Sequence, residues 1–138
     1  MMSDPETVQI AGEFSPEIRG LLLEFAKLCL AQYEAEKIPD FDIAGSRAVE
    51  KSMIVDELDE MEPDGRNVLA ALVDHDDLAI RTSAATYLMK TSPAEALPVL
   101  RQIAGFGSSA ADLVQPFARR AAMHARQALW MYEEGNLG

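Results

Sequence analysis

Asp74, His75, Asp76 and Asp77 are the chain's densest run of metal-ligand side chains, an imidazole and three carboxylates in consecutive positions. Such groups suit zinc, manganese or iron. Consecutive residues in a tight turn point in different directions, however, and no distant cluster in the sequence pairs with this one. The apolar segment that begins at Leu78 suggests another use. An aspartate ahead of a helix accepts hydrogen bonds from the free amides of the first turn, and its charge suits the helix N-terminus. We read Asp74 to Asp77 as a turn that opens a helix, and expect no metal and no cofactor.

The run DELDEMEPD, Asp56 to Asp64, is the second candidate. Glu57 and Glu60 lie three apart, and Asp74 and Asp77 repeat that spacing. Two such helical pairs could hold magnesium for cleavage of nucleoside triphosphates, an arrangement similar to the paired Glu-x-x-Glu and Glu-x-x-Asp helices of all-α pyrophosphatases. The second pair here is Asp-x-x-Asp, it falls in an expected turn, and Pro63 interrupts the intervening chain. This metal-dependent pyrophosphohydrolase is the alternative reading. A solvated acidic face is the simpler one, and its best use is docking a basic protein through Asp56, Glu57, Asp59, Glu60 and Glu62.

Other reactive side chains lack company. Cys29 is the only cysteine, which excludes an intramolecular disulfide, and it sits in an apolar stretch where it reads as a small buried hydrophobe. His124 lies near Arg119, Arg120 and Arg126, with no nucleophile beside it and no glycine-rich phosphate loop. Those arginines and Arg81 could line a weak anion-binding stripe, or form salt bridges to the acidic half of the chain. Trp130, Met131 and Tyr132 fall near the end of the last expected helix, where aromatics either cap the core or contact another molecule. Trp130 is therefore added to the candidate partner-binding residues.

Charge narrows the partners. The net charge is −11; residues 1 to 66 hold 16 acidic against 6 basic side chains, a balance of −10, and residues 67 to 138 hold 7 against 6, a balance of −1. Such a field repels phosphate backbones and anionic lipid, so neither nucleic acid nor a membrane surface is expected, and it favours encounter with basic proteins. No run approaches the roughly 18 apolar residues of a membrane span, and the N-terminus lacks a signal-peptide pattern. The expected location is the cytoplasm.

The elements that must position these residues are helices. The 138 residues suffice for one domain with its own core. Ser15, Pro16 and Glu17 form a helix start, and Ile18, Leu21, Leu22, Phe25, Leu28 and Cys29 recur at helical spacing up to about Lys37. Asp40 can cap a second helix through Ile43, Val49, Ile54, Val55, Leu58 and Met61, stopped by Pro63. Short helices are expected at Asn67 to Val73 and Leu78 to Lys90. Another begins at Ser92 and Pro93, where Glu95 completes a capping-box spacing, with Pro98 kinking or restarting it. The loop Gly105 to Ser109 precedes a last helix from about Pro116 to Glu134. Its alanines at 118, 121, 122, 125 and 128 let a neighbour approach closely. No segment alternates as a strand does, so the fold class is all-α: a flexible segment 1–14, a helical hairpin over 15–62 and helix pairs over 67–134.

Asp76, Asp77, Ile80, Arg81, Ala84, Ala85 and Leu88 resemble the HEAT-repeat pattern, an acidic turn followed by an aliphatic residue, arginine, small residues and leucine. The resemblance is strong over 68–88 and weak over 94–129. With LLLEFAKLCLAQ and VDELDEM, the chain resembles a small bacterial family of HEAT-like helical domains of unknown function. It implies an antiparallel α-α superhelical stack of five to seven helices, and it brings no catalytic residues. The function these readings favour is non-enzymatic protein–protein interaction, such as an inhibitor or immunity-type protein that masks a basic partner. A structural homo-oligomer is the third possibility, and the sequence leaves the oligomeric state open.

Overall fold

Ser15 opens the first helix as its residue type predicts. Its hydroxyl accepts a hydrogen bond from the Ile18 amide at 3.2 Å, its carbonyl accepts one from the Arg19 amide at 2.9 Å, and Pro16 occupies the first helical position. The Arg19 guanidinium lies 5.9 Å from the Phe14 ring centroid, across this first turn. The computed structural model describes residues 13–37, 41–105 and 118–134. Among them run α1 (Pro16–Lys37), α2 (Phe41–Asp59), a 3-10 helix (Gly65–Leu72), α3 (Leu78–Leu88), α4 (Pro93–Ala104) and α5 (Ala118–Glu133), with no strand. The all-α class expected from the sequence is the observed one. None of these helices is long and apolar enough to cross a membrane. Residues 1–12, Pro39 and Asp40, and the loop and helix start expected between 106 and 117, lie outside the described residues.

The chain divides into two compact units, before and after Ala71. In the first, α1 packs on α2. Leu22, Phe25, Ala26, Leu28 and Cys29 of α1 are buried, and so are Val55 and Leu58 of α2. Each large side chain so covered contributes roughly 1.5–3 kcal/mol. Cys29 is a buried thiol in this core.

The face of α2 differs from the expected one. Its buried positions are Ala44, Lys51, Val55 and Leu58, whereas Ile43 and Val49 are exposed and Ile54 is only half-buried. At about 100° per residue the four buried positions span an arc of roughly 60°, and Val49 lies about 150° round the helix from its centre. Lys51 takes a place in that arc that a sequence reading assigns to an aliphatic residue, because its long methylene stem packs like one.

The second helix also ends sooner than Pro63 requires. The amides of Glu60 and Met61 turn back three residues, to the carbonyls of Glu57 at 3.1 Å and Leu58 at 2.9 Å, and α2 stops at Asp59. Glu62–Pro63 is a cis peptide, and Gly65 adopts φ +59°, donating to the Met61 carbonyl at 2.8 Å. The short helix expected at 67–73 is the 3-10 helix Gly65–Leu72.

In the second unit α3 packs on α4 and α5, and α4 on α5. The buried side chains are Ile80, Ala84, Ala85 and Leu88 from α3, Ala96, Leu100 and Ile103 from α4, and the five alanines of α5. Two local expectations are corrected in α4. It does not restart at Pro98 but continues through it, with Pro98 exposed. Ser92 holds the cap position, but its φ of −139° and ψ of 62° do not aim the hydroxyl at the first-turn amides; its carbonyl accepts from Glu95 and Ala96 instead, each at 3.1 Å.

Candidate functional site

The Asp74 to Asp77 segment folds as a helix-opening turn. Asp77 is the N-cap of α3: its Oδ1 accepts from the Ala79 amide at 2.9 Å and the Ile80 amide at 3.3 Å. His75 faces the same turn. Its Nδ1 accepts from the Asp77 amide at 3.0 Å, and its carbonyl accepts from Arg81 Nε at 2.9 Å. One acceptor atom of each side chain, Asp77 Oδ1 and His75 Nδ1, is thus engaged by the chain's own amides, while Asp74 and Asp76 are exposed. Among the described residues no three His, Cys, Asp or Glu side chains are gathered as a metal ion would need.

The acids of the DELDEMEPD run separate into three groups. Asp56 and Glu57 are exposed on α2 and make no ion pair among the described residues. Asp59 is paired: Arg66 Nε and Nη2 reach its two carboxylate oxygens at 2.8 and 2.7 Å. The pair places a cation at the C-terminus of α2, where an aspartate alone is disfavoured by the helix dipole. Glu60 and Glu62 are exposed but lie beyond α2, so Glu57 and Glu60 do not form an i, i+3 pair on one helix.

What the sequence reading missed stands beside Asp56 and Glu57. Val49 and Met53, one turn apart on α2, are 62% and 58% exposed, outside its buried arc. Around them are Asp42, Asp56 and Glu57, all exposed. Met53 and Glu57 also reach an open groove of about 550 Å³ between α1 and α2. Leu28, Ala31 and Ile54 add to its apolar lining, Glu24 and Glu50 to its acidic one, and Arg47 is tied to Glu50 at 2.8 Å. An apolar centre with a charged rim is the composition of an interface. The available signal was the distribution of apolar residues all round α2, which burial on one face alone does not explain.

The second exposed patch is on α5. Trp130 is 57% and Met123 55% exposed, so Trp130 does not cap the core; the buried face of α5 is alanine. Arg126 is exposed beside them, with Nε on the Ala104 carbonyl at 3.1 Å, at the end of α4. Arg81 and Arg126 therefore serve backbone carbonyls rather than a common stripe. His124 is half-buried on α5, and the side chain of Arg119 lies outside the described ones.

No protein-family model matches the chain. No curated protein sequence matches it either. The fold has a counterpart among solved structures, the crystal structure of the protein RPA1889 from Rhodopseudomonas palustris CGA009. That bacterial protein is 22% identical, the match covers 86% of this chain and 89% of the other, and the TM-score is 0.71. The likeness shows the fold, over nearly the whole length of both chains.

Proposed function

We propose that the protein is a non-enzymatic protein-interaction module whose α2 surface docks a basic partner. One observation carries this reading: Val49 and Met53 stand exposed on α2 within a rim of Asp42, Asp56 and Glu57. Apolar side chains supply affinity once covered, and the exposed carboxylates steer and orient a cationic surface. Of the acids expected to dock that partner, Asp56 and Glu57 belong to the patch, Asp59 is neutralised by Arg66, and Glu60 and Glu62 extend the acidic surface past the helix end. An inhibitor or immunity-type protein that masks a basic protein is the concrete form of this role. The turn–helix from Asp77 to Leu88 supports a HEAT-like unit, and the single, buried cysteine suits a reducing cytoplasm.

The test is capture of partners from the native lysate at low and moderate salt, followed by binding with the purified components. Asp56→Lys with Glu57→Lys should slow association and flatten its salt dependence, and Val49→Asp should raise the dissociation rate. Val49→Asp adds an acid, so weaker binding identifies apolar docking rather than charge alone. A purified partner indifferent to both variants, or recovery of no protein at either salt, refutes the reading.

A further inference from the structure

We infer that the element seated on α2 is a basic amphipathic α-helix of another protein, laid along α2 with two apolar side chains seven residues apart. The inference rests on the reading of α2 as a docking surface and names the element that fits it. Asp42, Gly45, Ser46 and Val49 frame one hole on the helix surface, and Val49, Ser52, Met53 and Asp56 frame a second, all of them exposed. Residues spaced i, i+3, i+4, i+7 are the four that receive a side chain from a facing helix. At about 100° per residue both holes fall within one arc of roughly 120°, so they form a single straight seam. Glycine and serine keep the seam shallow, which lets a second backbone come close. The two holes repeat after seven residues, about 10.5 Å along the axis, and a partner helix fills both with apolar side chains at the same interval.

Charge sets the rest of the partner. The charged members of the seam are Asp42 and Asp56, one at each end, and the exposed Glu57 stands at its border. The bases of α2 lie elsewhere: Arg47 and Lys51 are roughly 100° or more beyond the edge of the arc, and Arg47 is tied to Glu50 at 2.8 Å. A matching helix therefore carries lysine or arginine about one turn outside each of its two apolar residues. An extended segment fits less well. The backbone amides and carbonyls within a helix such as α2 are already paired, so a strand covering Val49 and Met53 would bury main-chain groups with nothing to bond, whereas a helix satisfies its own.

The test uses the full chain and a capped, alanine-based helical peptide with two leucines seven apart and a lysine four residues outside each. Nuclear magnetic resonance of the Val49 and Met53 methyl groups should show saturable shifts as the peptide is added. Placing a proline between the leucines keeps every anchor and charge but removes the helix; moving one leucine by two residues keeps the helix but breaks the register. Each control should bind on the order of tenfold more weakly or worse. Gly45→Leu fills the first hole, where an added Cβ meets nothing of the chain within 4 Å, so its fold should be kept, as helical circular dichroism checks, and its affinity for the peptide should fall. Asp42→Lys with Asp56→Lys should weaken binding and flatten its salt dependence. Methyl signals that stay in place, a proline control that binds equally, or a Gly45→Leu variant that binds as well as wild type overturns the inference. So does self-association of the full chain, seen in sedimentation and lost on Gly45→Leu, because a second copy would then occupy the seam. A purified native partner that is lost on Val49→Asp but indifferent to Gly45→Leu would leave the docking reading standing and remove the helix; indifference to both removes the two together.

Discussion

Replacing Asp77 by alanine separates the two uses that an Asp-His-Asp-Asp run can have. One carboxylate oxygen of Asp77 accepts two amides, at 2.9 and 3.3 Å, and those amides belong to Ala79 and Ile80, which are 4% and 0% exposed. Loss of an aspartate N-cap costs about 0.5–2 kcal/mol. Water reaches buried residues poorly, so the upper part of that range applies, about 1.5 kcal/mol. With a urea m-value of about 1.5 kcal/mol/M for a small protein, the midpoint should fall by roughly 1 M. Asp77→Asn keeps an acceptor oxygen and should retain most of the stability. The exposed Asp74→Ala and Asp76→Ala should each stay within about 0.5 kcal/mol of wild type. The assay is urea unfolding followed by helical circular dichroism, with and without zinc or manganese. A bound metal at 100 times its dissociation constant would raise stability by about 2.7 kcal/mol; the cap predicts no change. Equal losses at positions 74, 76 and 77, or a metal-dependent midpoint that those substitutions abolish, would refute the capping argument.

Gly65→Ala should destabilise by about 1–2 kcal/mol because the residue sits at φ +59°. Space is not the cause, since an added Cβ would meet its nearest neighbour, the Asp59 carbonyl oxygen, at an ordinary 3.6 Å, and Gly65→Asn should therefore recover part of the loss in thermal unfolding. Ala125→Leu places a large side chain on the fully buried face of α5 and should cost about 1–3 kcal/mol by overpacking, read as a lower denaturation midpoint. Val49→Ser should leave stability within about 0.5 kcal/mol of wild type while weakening partner binding, a separation that a core role for Val49 would not give.

Much of the local structure was legible from residue types. Ser15 and Pro16 start α1, Asp77 starts α3, and the alanines of α5 form its buried face, because capping and close helix approach depend on a few neighbouring atoms. The same kind of signal failed at Ser92, where the backbone angles decide whether a hydroxyl can reach an amide, and those angles follow from how α3 runs into α4. Over 65–72 it placed a helix but left its type open, because apolar residues at helical spacing do not distinguish a 3-10 from an α-helix.

By itself the sequence determined the all-α class, the acidic first half and the turn at Asp77, each a property of composition or of contacts a few residues apart. Tertiary structure decided which apolar residues are covered. Helix α2 carries valine, isoleucine and methionine on all sides, and only its packing on α1 selects the arc of Ala44, Lys51, Val55 and Leu58 for burial. Val49 and Met53 are left to solvent, and the proposed docking surface rests on their exposure. A hydrophobic residue reads the same in sequence whether its partner lies within the chain or outside it, since what it gains is the removal of water, whichever surface removes it.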